Sequence, residues 1–319
     1  MTPISQISVV IPVYNGAASL ADLSQRLETV LRGRTAVFEL ILVDDGSLDA
    51  SWDAIRQLAG QHQCVRGIHL MRNYGQHNAL LCGIRAARYG TVVTMDDDLQ
   101  NPPEEVPKLL DKLGEGYEVV YGTPLEQQHG LWRNLASTIT KVVLQNAMGA
   151  RTARDVSAFR AFQTRLRDAF EDFRGPYVSI DVLLTWGTRR FAAIPVAHAP
   201  RLRGQSNYTL GLLLKHAVNM MTGFSTIPLR LASLVGFVFT GVGLVLLAAV
   251  LLRYAISGTS VPGFVFLAST ITIMSGAQLF ALGIIGEYLA RIHFRVMDRP
   301  PYAIASETSE QGSATDASR

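Results

Sequence analysis

Two long stretches of this chain lack charge entirely. No Asp, Glu, Lys or Arg occurs in residues 231–252 or in residues 254–286, and only Arg253 separates them. Each stretch exceeds the ~20 apolar residues that a helix needs to cross a bilayer. Only Arg253 and a short loop, residues 257–263, lie between the apolar segments, which disfavours buried core helices. The pattern predicts a transmembrane hairpin with spans at about residues 231–252 and 264–286.

Cysteine is scarce, and a leader sequence is not expected. Only Cys64 and Cys82 occur, without redox or metal-ligand spacing, which indicates two ordinary thiols in a reducing compartment. Residues 1–6 contain no basic side chain, and the apolar run at residues 9–13 is too short for the core of a signal peptide.

Positive charge is concentrated before and around the hairpin. Basic residues outnumber acidic ones more than two to one between Arg133 and Lys215, although the net charge is only +3. This favours an anionic lipid or lipid phosphate as partner over nucleic acid, for which no binding signature is present. The hairpin itself is flanked by several arginines, against Arg253 alone in its loop, so the positive-inside rule predicts a cytoplasmic N-terminal part. The flanking residues are Arg230, Arg291, Arg295 and Arg299.

Strand-like and helix-like segments alternate through the first half of the chain. Val- and Ile-rich runs predict strands at residues 8–13, 38–43, 65–70, 91–95 and 117–121. Amphipathic segments predict helices at residues 19–31, 51–59, 77–88 and 104–113, and later ones at 132–146 and 176–186, with a further strand at 191–196. Such alternation predicts an α/β domain with a mostly parallel sheet, helices on both faces, and ligands bound beyond the carboxyl ends of the strands.

An acidic triplet follows the fourth predicted strand. Adjacent carboxylates repel one another unless a cation shares them. Asp96 and Asp98 are separated by one residue, so on an extended chain they point to the same side, where one divalent cation and substrate phosphates can meet them. The plainer alternative is an acidic loop that caps the following helix. Tyr14-Asn15 and Asp44-Asp45 end the first two predicted strands, so we expect three polar clusters at one sheet edge.

Four motifs in order, together with the hairpin, resemble the family-2 glycosyltransferases of the GT-A fold. The motifs are VVIPVYN at residues 9–15, VDDGS at 43–47, RNYGQH at 72–77 and DDDLQNPPEE at 96–105. The resemblance also covers RLRGQSNY at residues 201–208. It is closest to the polyprenyl-phosphate branch, which contains dolichol-phosphate mannosyltransferases, bactoprenol glucosyltransferases and undecaprenyl-phosphate aminoarabinose transferases.

The resemblance implies roles for individual residues. Asp96, Asp98 and Gln100 would hold Mg²⁺ or Mn²⁺, and Asp98 and Asp155 would be catalytic. The lipid phosphate acceptor needs positive charge to hold it, for which Arg133, Lys141 and Arg160 are the candidates; of these, Arg133 resembles a phosphate-binding arginine of the family. The nucleotide-sugar donor would be bound by Pro12, Tyr14, Asn15, Asp44, Asp45, Gly75, Asp96, Asp97 and Arg201. Plainer alternatives stay open: a helix cap for Asp44 or Asp45 and for Asp155, and a solvated charge for Arg201.

Two positions depart from the family pattern. Gly16 stands where members usually carry Glu, and Asn207 stands where the branch usually has Lys, a charge that Arg203 could supply. Both departures concern the identity of the donor more than the class of reaction.

The expected organisation has four parts. Residues 1–207 form the cytoplasmic GT-A domain, 208–229 an interfacial amphipathic helix, 230–290 the membrane hairpin and 291–319 a cytoplasmic tail, disordered from about Ser306. The expected function is inverting, metal-dependent transfer of one sugar, from a UDP-sugar by preference, to undecaprenyl phosphate at the inner membrane. A homo-oligomer is compatible with this.

Several rival functions are weighed against this one. A GDP-mannose-dependent mannosyltransferase acting on the same lipid and a non-catalytic, membrane-tethered nucleotide-sugar binding protein are the alternatives retained. A processive synthase is disfavoured because no Arg-Trp pair occurs anywhere in the chain, and two spans leave little room for the polar path of a transporter.

Overall fold

The computed structural model describes residues 6–124, 156–175, 177–199, 226–257 and 263–308. It comprises two compact units. One contains a sheet with its helices together with the chain from Arg299 onward, and the other contains two long helices within Lys215–Asp298. The expectations for Arg133, Lys141, Asp155, Arg201, Arg203 and Asn207, and those for the helices at residues 132–146 and 208–229, lie outside the described residues.

An eight-stranded mixed sheet forms the centre of the first unit. Its strands are β1 (Gln6–Val13), β2 (Val37–Asp44), β3 (Val65–Leu70), β4 (Thr91–Thr94), β5 (Val119–Pro124), β6 (Arg160–Gln163), β7 (Phe191–Val196) and β8 (Ile304–Glu307). They lie in the order β7-β5-β6-β4-β1-β2-β3-β8. β1 pairs in parallel with β2 and β4, and β2 with β3, so the first half of the chain builds the parallel region that its alternation predicts.

Helices cover the parallel strands because each has one apolar stripe to bury. They are α1 (Leu20–Arg32), α2 (Ser51–Gln61), α3 (Gln76–Ala86), α4 (Val106–Gly114) and α5 (Ile180–Gly187). In α1 the stripe is Leu20, Leu23, Leu27 and Leu31, all with no exposed surface. This spacing of three and four residues packs one face of the helix against the buried strands, as the sequence predicts.

The direction of winding reverses between β1 and β4. The chain runs from β1 outward to β2 and β3, and α3 then returns it to β4 on the other side of β1. In open sheets of this kind the crevice at such a reversal binds ligands beyond the carboxyl ends of the strands. Tyr14-Asn15-Gly16 follows β1 and Asp96-Asp97-Asp98 follows β4, so both clusters stand at this crevice.

Two antiparallel strands are absent from the sequence prediction. β6 inserts between β4 and β5 and is antiparallel to both. β8 lies antiparallel to the edge strand β3, and Thr308 Oγ1 accepts a hydrogen bond of 2.9 Å from the backbone N–H of Gly67. The prediction of a disordered tail from Ser306 is therefore wrong for Ser306, Glu307 and Thr308, because the open edge of β3 offers them backbone partners.

The second unit contains helices α6 (Ile227–Ser257) and α7 (Phe264–Val296). Both are long and apolar enough to cross a membrane, and their apolar stretches are not buried inside the protein. α7 continues well past the predicted end of its span at residue 286. A hydrogen bond of 2.7 Å between Arg291 and Glu287, one turn apart, supports this polar extension.

Candidate functional site

Asp45 fastens the loop after β3 to the end of β2. Its Oδ1 accepts a hydrogen bond of 2.7 Å from the backbone N–H of Tyr74, and its Oδ2 accepts one of 2.8 Å from Gly75. The residue is only 2% exposed, and burial raises the pKa of its carboxyl to about 6 against the pull of these two donors. Both of its oxygens thus fix the loop that leads into α3, a role that position in sequence alone does not reveal.

Asp44 is also bound within the protein. It has no exposed surface, and its Oδ2 lies 2.6 Å from Nδ1 of His69, whose ring stacks on Trp52 at a centroid distance of 5.0 Å. Neither aspartate caps a helix in the described structure, since α2 begins at Ser51 without a side-chain cap. The contact between Asp44 and His69 stabilises the end of β2. The binding of a nucleotide by Asp44 or Asp45 stays a prediction, and His69 was not singled out from the sequence.

The loop after β1 is held by the loop after β2. Asn15 has a positive φ of 55°, and its Oδ1 accepts a 2.8 Å hydrogen bond from the backbone N–H of Leu48. In return, the N–H of Asn15 donates to Ser47 Oγ at 2.9 Å. Tyr14 is 46% exposed at this edge, whereas Pro12 is buried within β1. Of the predicted donor residues, Pro12 is therefore buried within β1, whereas Tyr14 lies exposed just after the strand and its contact with the donor stays a prediction.

Gly46 lets these loops approach closely. Its φ is +66°, and a Cβ built on it would lie 2.4 Å from the carbonyl carbon of Arg72. A larger residue would push the loop after β3 away from the loop after β2. Close packing of the two loops thus explains why position 46 of the VDDGS motif is glycine.

The acidic triplet turns more sharply than the sequence prediction assumed. Asp97 and Asp98 form a turn, Leu99 follows with a φ of 58°, and the N–H of Gln100 donates to Asp98 Oδ1 at 3.1 Å. The extended backbone on which the expected alternation depends therefore ends at Asp96, and this part of the geometric argument was wrong. Asp96, Asp98 and Gln100 are nevertheless all partly exposed at the same short loop.

Asp96 has a neighbour that sequence reasoning missed. Gln76, the first residue of α3, donates from Nε2 to Asp96 Oδ1 at 2.5 Å. Within the described residues, no group of three or more His, Cys, Asp or Glu side chains is arranged to hold a metal ion alone. Oxygens from other sources would have to complete any cation site on the triplet.

Asp97 points towards the loop after β1. It accepts a hydrogen bond from the backbone N–H of Tyr14, and its Oδ2 lies against Gly16. Burial, followed by the charges of Asp96 and Asp98, raises the pKa of its carboxyl to about 7. All three residues of the triplet are partly exposed, but Oδ2 of Asp97 is buried against Gly16.

Arg160 corrects the prediction of an acceptor ligand. It is 1% exposed on β6, where its guanidinium pairs with Asp181 on α5 and its Nε donates to Thr94 Oγ1 at 3.1 Å. A lipid phosphate would have to displace Asp181 from the core to reach it. We therefore assign Arg160 to the core. The apolar neighbours Phe159, Ala161 and Phe162 were the signal in the sequence for a buried strand.

The mixed sheet, its covering helices and the acidic loop after β4 are those of the GT-A fold of nucleotide-sugar transferases. Two solved structures show the same fold. Mannosyl-3-phosphoglycerate synthase from Rubrobacter xylanophilus is 18% identical, with a TM-score of 0.53 over 68% of this chain and 72% of the other. Glucosyl-3-phosphoglycerate synthase from Mycobacterium tuberculosis, in complex with Mn²⁺, UDP and glucosyl-3-phosphoglycerate, is 20% identical, with a TM-score of 0.51 over 68% of this chain and 78% of the other.

Within that class the particular family follows from the sequence. The model of glycosyl transferase family 2 matches residues 8–173. Undecaprenyl-phosphate 4-deoxy-4-formamido-L-arabinose transferase from Pseudomonas paraeruginosa is 37% identical over 305 residues, 95% of this chain and 90% of the relative. The enzyme of that name from Serratia proteamaculans is 37% identical over 313 residues, 97% and 96% of the two chains. The chain belongs to glycosyl transferase family 2, and it is a glycosyltransferase.

Proposed function

We propose that this enzyme transfers one sugar, with inversion, from a nucleotide sugar to undecaprenyl phosphate. The observation that carries the proposal is the partly exposed oxygen cluster of Asp96, Asp98 and Gln100 at the crevice between β1 and β4. Support for the lipid comes from the relatives. They are named as undecaprenyl-phosphate transferases, and this chain matches them over nearly their whole length. A UDP-sugar is the favoured donor.

A divalent cation fits the residues present. Carboxylate and amide oxygens suit Mg²⁺ and Mn²⁺, and both cations accept substrate phosphates as further ligands. Burial is the main cause of the raised pKa of Asp97, about 7, and the charges of Asp96 and Asp98 add to it; a cation beside these two residues would relieve the repulsion. When bound, the cation would neutralise the nucleoside diphosphate that leaves.

The protein's own residues prepare the donor site. Asp45 holds Tyr74 and Gly75, and Asn15 holds Leu48, so the loops after the first three strands form one hydrogen-bonded rim. A rigid rim lowers the cost of ordering the site when a ligand binds. Tyr14 stands exposed on this rim, where its ring can contact the nucleoside. Arg201 would contribute positive charge to the donor phosphates.

The acceptor needs positively charged groups that bind its phosphate more than it needs a general base. A monoester phosphate, with its second pKa near ~6, is largely a dianion at neutral pH and can attack the sugar without losing a proton to the protein. Arg133 and Lys141 are proposed to hold it. Asp155 would orient it. The attacking phosphate oxygen forms the new bond to the sugar carbon as the bond from that carbon to the nucleoside diphosphate breaks, which inverts the configuration.

The donor site is proposed to face the cytoplasm, with the hairpin in the inner membrane. The arginines that border the uncharged stretches of α6 and α7 support this by the positive-inside rule. We expect a cysteine introduced by Asp53→Cys, in a background lacking Cys64 and Cys82, to react only after the membrane is permeabilised. A cysteine in the loop at residues 258–262 should react from outside. The reverse pattern would contradict the orientation.

Turnover with defined substrates tests the reaction. Purified full-length protein is incubated with undecaprenyl phosphate and a panel of UDP- and GDP-sugars, and both the released nucleotide and the lipid product are measured by mass spectrometry. We expect a lipid-linked monosaccharide and its loss in Asp98→Asn, with Asp53→Asn as the matched surface control. A sugar transferred to 3-phosphoglycerate and not to the lipid would refute the acceptor. Nucleotide release without any transfer would refute the transferase reaction.

A further inference from the structure

A side chain from outside the acidic loop holds one of its carboxylates. The hydrogen bond of 2.5 Å from Gln76 Nε2 to Asp96 Oδ1 joins the first residue of α3 to the loop after β4. An ionised carboxylate can only accept hydrogen bonds, so the amide nitrogen of Gln76 and not its oxygen faces Asp96. Gln76 is exposed and Asp96 partly exposed, so water could solvate both without this bond. The bond therefore does not compensate for burial, and what it fixes is the direction of the carboxylate.

The loop that leads into α3 is held at both ends. At its start, the N–H of Met71 donates to the carbonyl oxygen of Ala303 at 2.9 Å. At its end, Asp45 accepts hydrogen bonds of 2.7 Å from Tyr74 and 2.8 Å from Gly75. Gly75 has a φ of 93° and a ψ of 151°, a conformation that is essentially open to glycine alone. These contacts and this turn set the place of the first residue of α3.

The backbone that carries Asp96 is fixed as well. β4 pairs with β1 as far as Thr94, and the N–H of the next residue, Met95, donates to the carbonyl oxygen of Val10 at 3.3 Å. Asp96 follows as the last residue before the turn. Its side chain is the part that can still rotate, and the amide of Gln76 restrains that rotation.

We propose that Gln76 is a positioning residue of the cation site: its amide orients the Asp96 carboxylate so that the other carboxylate oxygen meets the divalent cation. The inference rests on the proposed function. A carboxylate can bind a cation through one oxygen while the second oxygen accepts a hydrogen bond, and loss of such a supporting bond changes metal affinity or activity by ~10–100-fold. Gln76 itself contacts neither the cation nor the substrate and acts only through Asp96.

Mn²⁺ binding to full-length protein in detergent tests this without turnover, with free Mn²⁺ measured by electron paramagnetic resonance. Gln76→Leu keeps roughly the size of the side chain and removes its N–H groups, so we expect Mn²⁺ affinity to fall about tenfold. Gln57→Leu, at an exposed position of α2, is the matched control and should bind Mn²⁺ as the unaltered protein does. The melting temperature of Gln76→Leu in EDTA should be unchanged, whereas a merely structural role of the bond would lower it.

UDP affinity from calorimetry separates positioning from direct contact with the nucleotide. At limiting Mn²⁺, Gln76→Leu should bind UDP more weakly than the unaltered protein, and saturating Mn²⁺ should restore its affinity. In EDTA the two proteins should bind UDP equally, because orienting Asp96 matters only when a cation is present. In a protein that already carries Asp96→Asn, adding Gln76→Leu should change UDP affinity no further.

Unchanged Mn²⁺ affinity in Gln76→Leu would overturn the inference. An equal loss of UDP affinity in Mn²⁺ and in EDTA would also overturn it, since Gln76 would then contact the nucleotide itself. So would a further loss of UDP affinity in the Asp96→Asn background. Unaltered protein that binds neither Mn²⁺ nor UDP would instead contradict the proposed function, and this inference with it.

Discussion

Arg160 and Asp181 form an ion pair across the core between β6 and α5. The side chain of Arg160 is 1% exposed and that of Asp181 13%. Tyr121 on β5 joins the pair, and its hydroxyl donates to Asp181 Oδ1 at 3.1 Å. Burial and the neighbouring carboxylate raise the pKa of Tyr121, so it stays neutral. These three residues link the neighbouring strands β5 and β6 to helix α5.

Breaking this pair should destabilise the protein without altering acceptor use. Asp181→Ala leaves a buried guanidinium without its counter-charge, which costs about 3–5 kcal/mol. Replacing both partners, Arg160→Met with Asp181→Leu, should recover most of that loss, because no buried charge remains. Denaturant unfolding measures the stabilities, and KM for undecaprenyl phosphate should be unchanged in the double variant. A selective rise of this KM would return Arg160 to the acceptor site.

Loss of a metal ligand should abolish turnover. Asp98→Asn removes the charge of a partly exposed carboxylate in the triplet, and we expect activity below about 1% of the unaltered enzyme, since one lost charge-assisted contact in the transition state costs several kcal/mol. EDTA should do the same, with recovery on adding Mg²⁺ or Mn²⁺. Asp97→Asn should be milder. Equal activity of Asp98→Asn and the unaltered enzyme would remove the metal role.

The sequence was most informative where strands are long and mostly buried. β1, β2 and β3 are Val- and Ile-rich runs followed by polar motifs, and their positions were predicted to within two residues. β6 and β8 have only four residues each, and each owes its existence to a partner strand distant in the chain. Short antiparallel strands of this kind carry no periodicity of their own, so no local pattern could reveal them.

The candidate site, too, was predictable in part. Motif residues at strand ends were correctly expected to meet at one edge, because parallel strands bring their carboxyl ends together. The contacts between loops could not be expected. Asp45 binds the backbone of Tyr74 and Gly75, and Asp97 fills the space beside Gly16. Both contacts depend on loop geometry that is set by the assembled sheet, and the turn at Asp97 and Asp98 interrupts the simple alternation of strand residues.

Asp45 should give the protein a measurable pH dependence of stability. Its carboxyl has a pKa of about 6 in the folded protein, above the ordinary value of about 3.9 in an unfolded chain. The folded state therefore binds the proton more tightly, and the resulting stabilisation is complete below about pH 4 and is lost as pH rises through about 6. The stability of the Asp45→Asn variant does not change in this way with pH, because its side chain does not titrate. The variant is less stable at every pH, because one of the two carboxylate acceptors is replaced by an amide nitrogen.

The measurement is the difference in stability between Asp45→Asn and the unaltered protein from pH 4.5 to 7.5. We expect the difference to shrink as pH rises, because only the unaltered protein loses the proton-linked contribution. Asp53→Asn, on the exposed face of α2, gives the reference for removing one carboxylate. A difference that is independent of pH would show that Asp45 does not titrate in this range.

The acceptor site provides the last prediction, since Arg133 and Lys141 are assigned to it from the sequence alone. A charge-assisted hydrogen bond to phosphate is worth about 1.5–3 kcal/mol, so Arg133→Ala should reduce kcat/KM for undecaprenyl phosphate roughly tenfold to a hundredfold. Arg133→Lys should rescue little if the contact is bidentate. UDP affinity should be unaffected, and Arg56→Ala on α2 is the control for losing a surface arginine. Weakened UDP binding with unaltered acceptor kinetics would instead place Arg133 at the donor phosphates, and the basic stretch that precedes the hairpin would then serve the nucleotide and not the lipid.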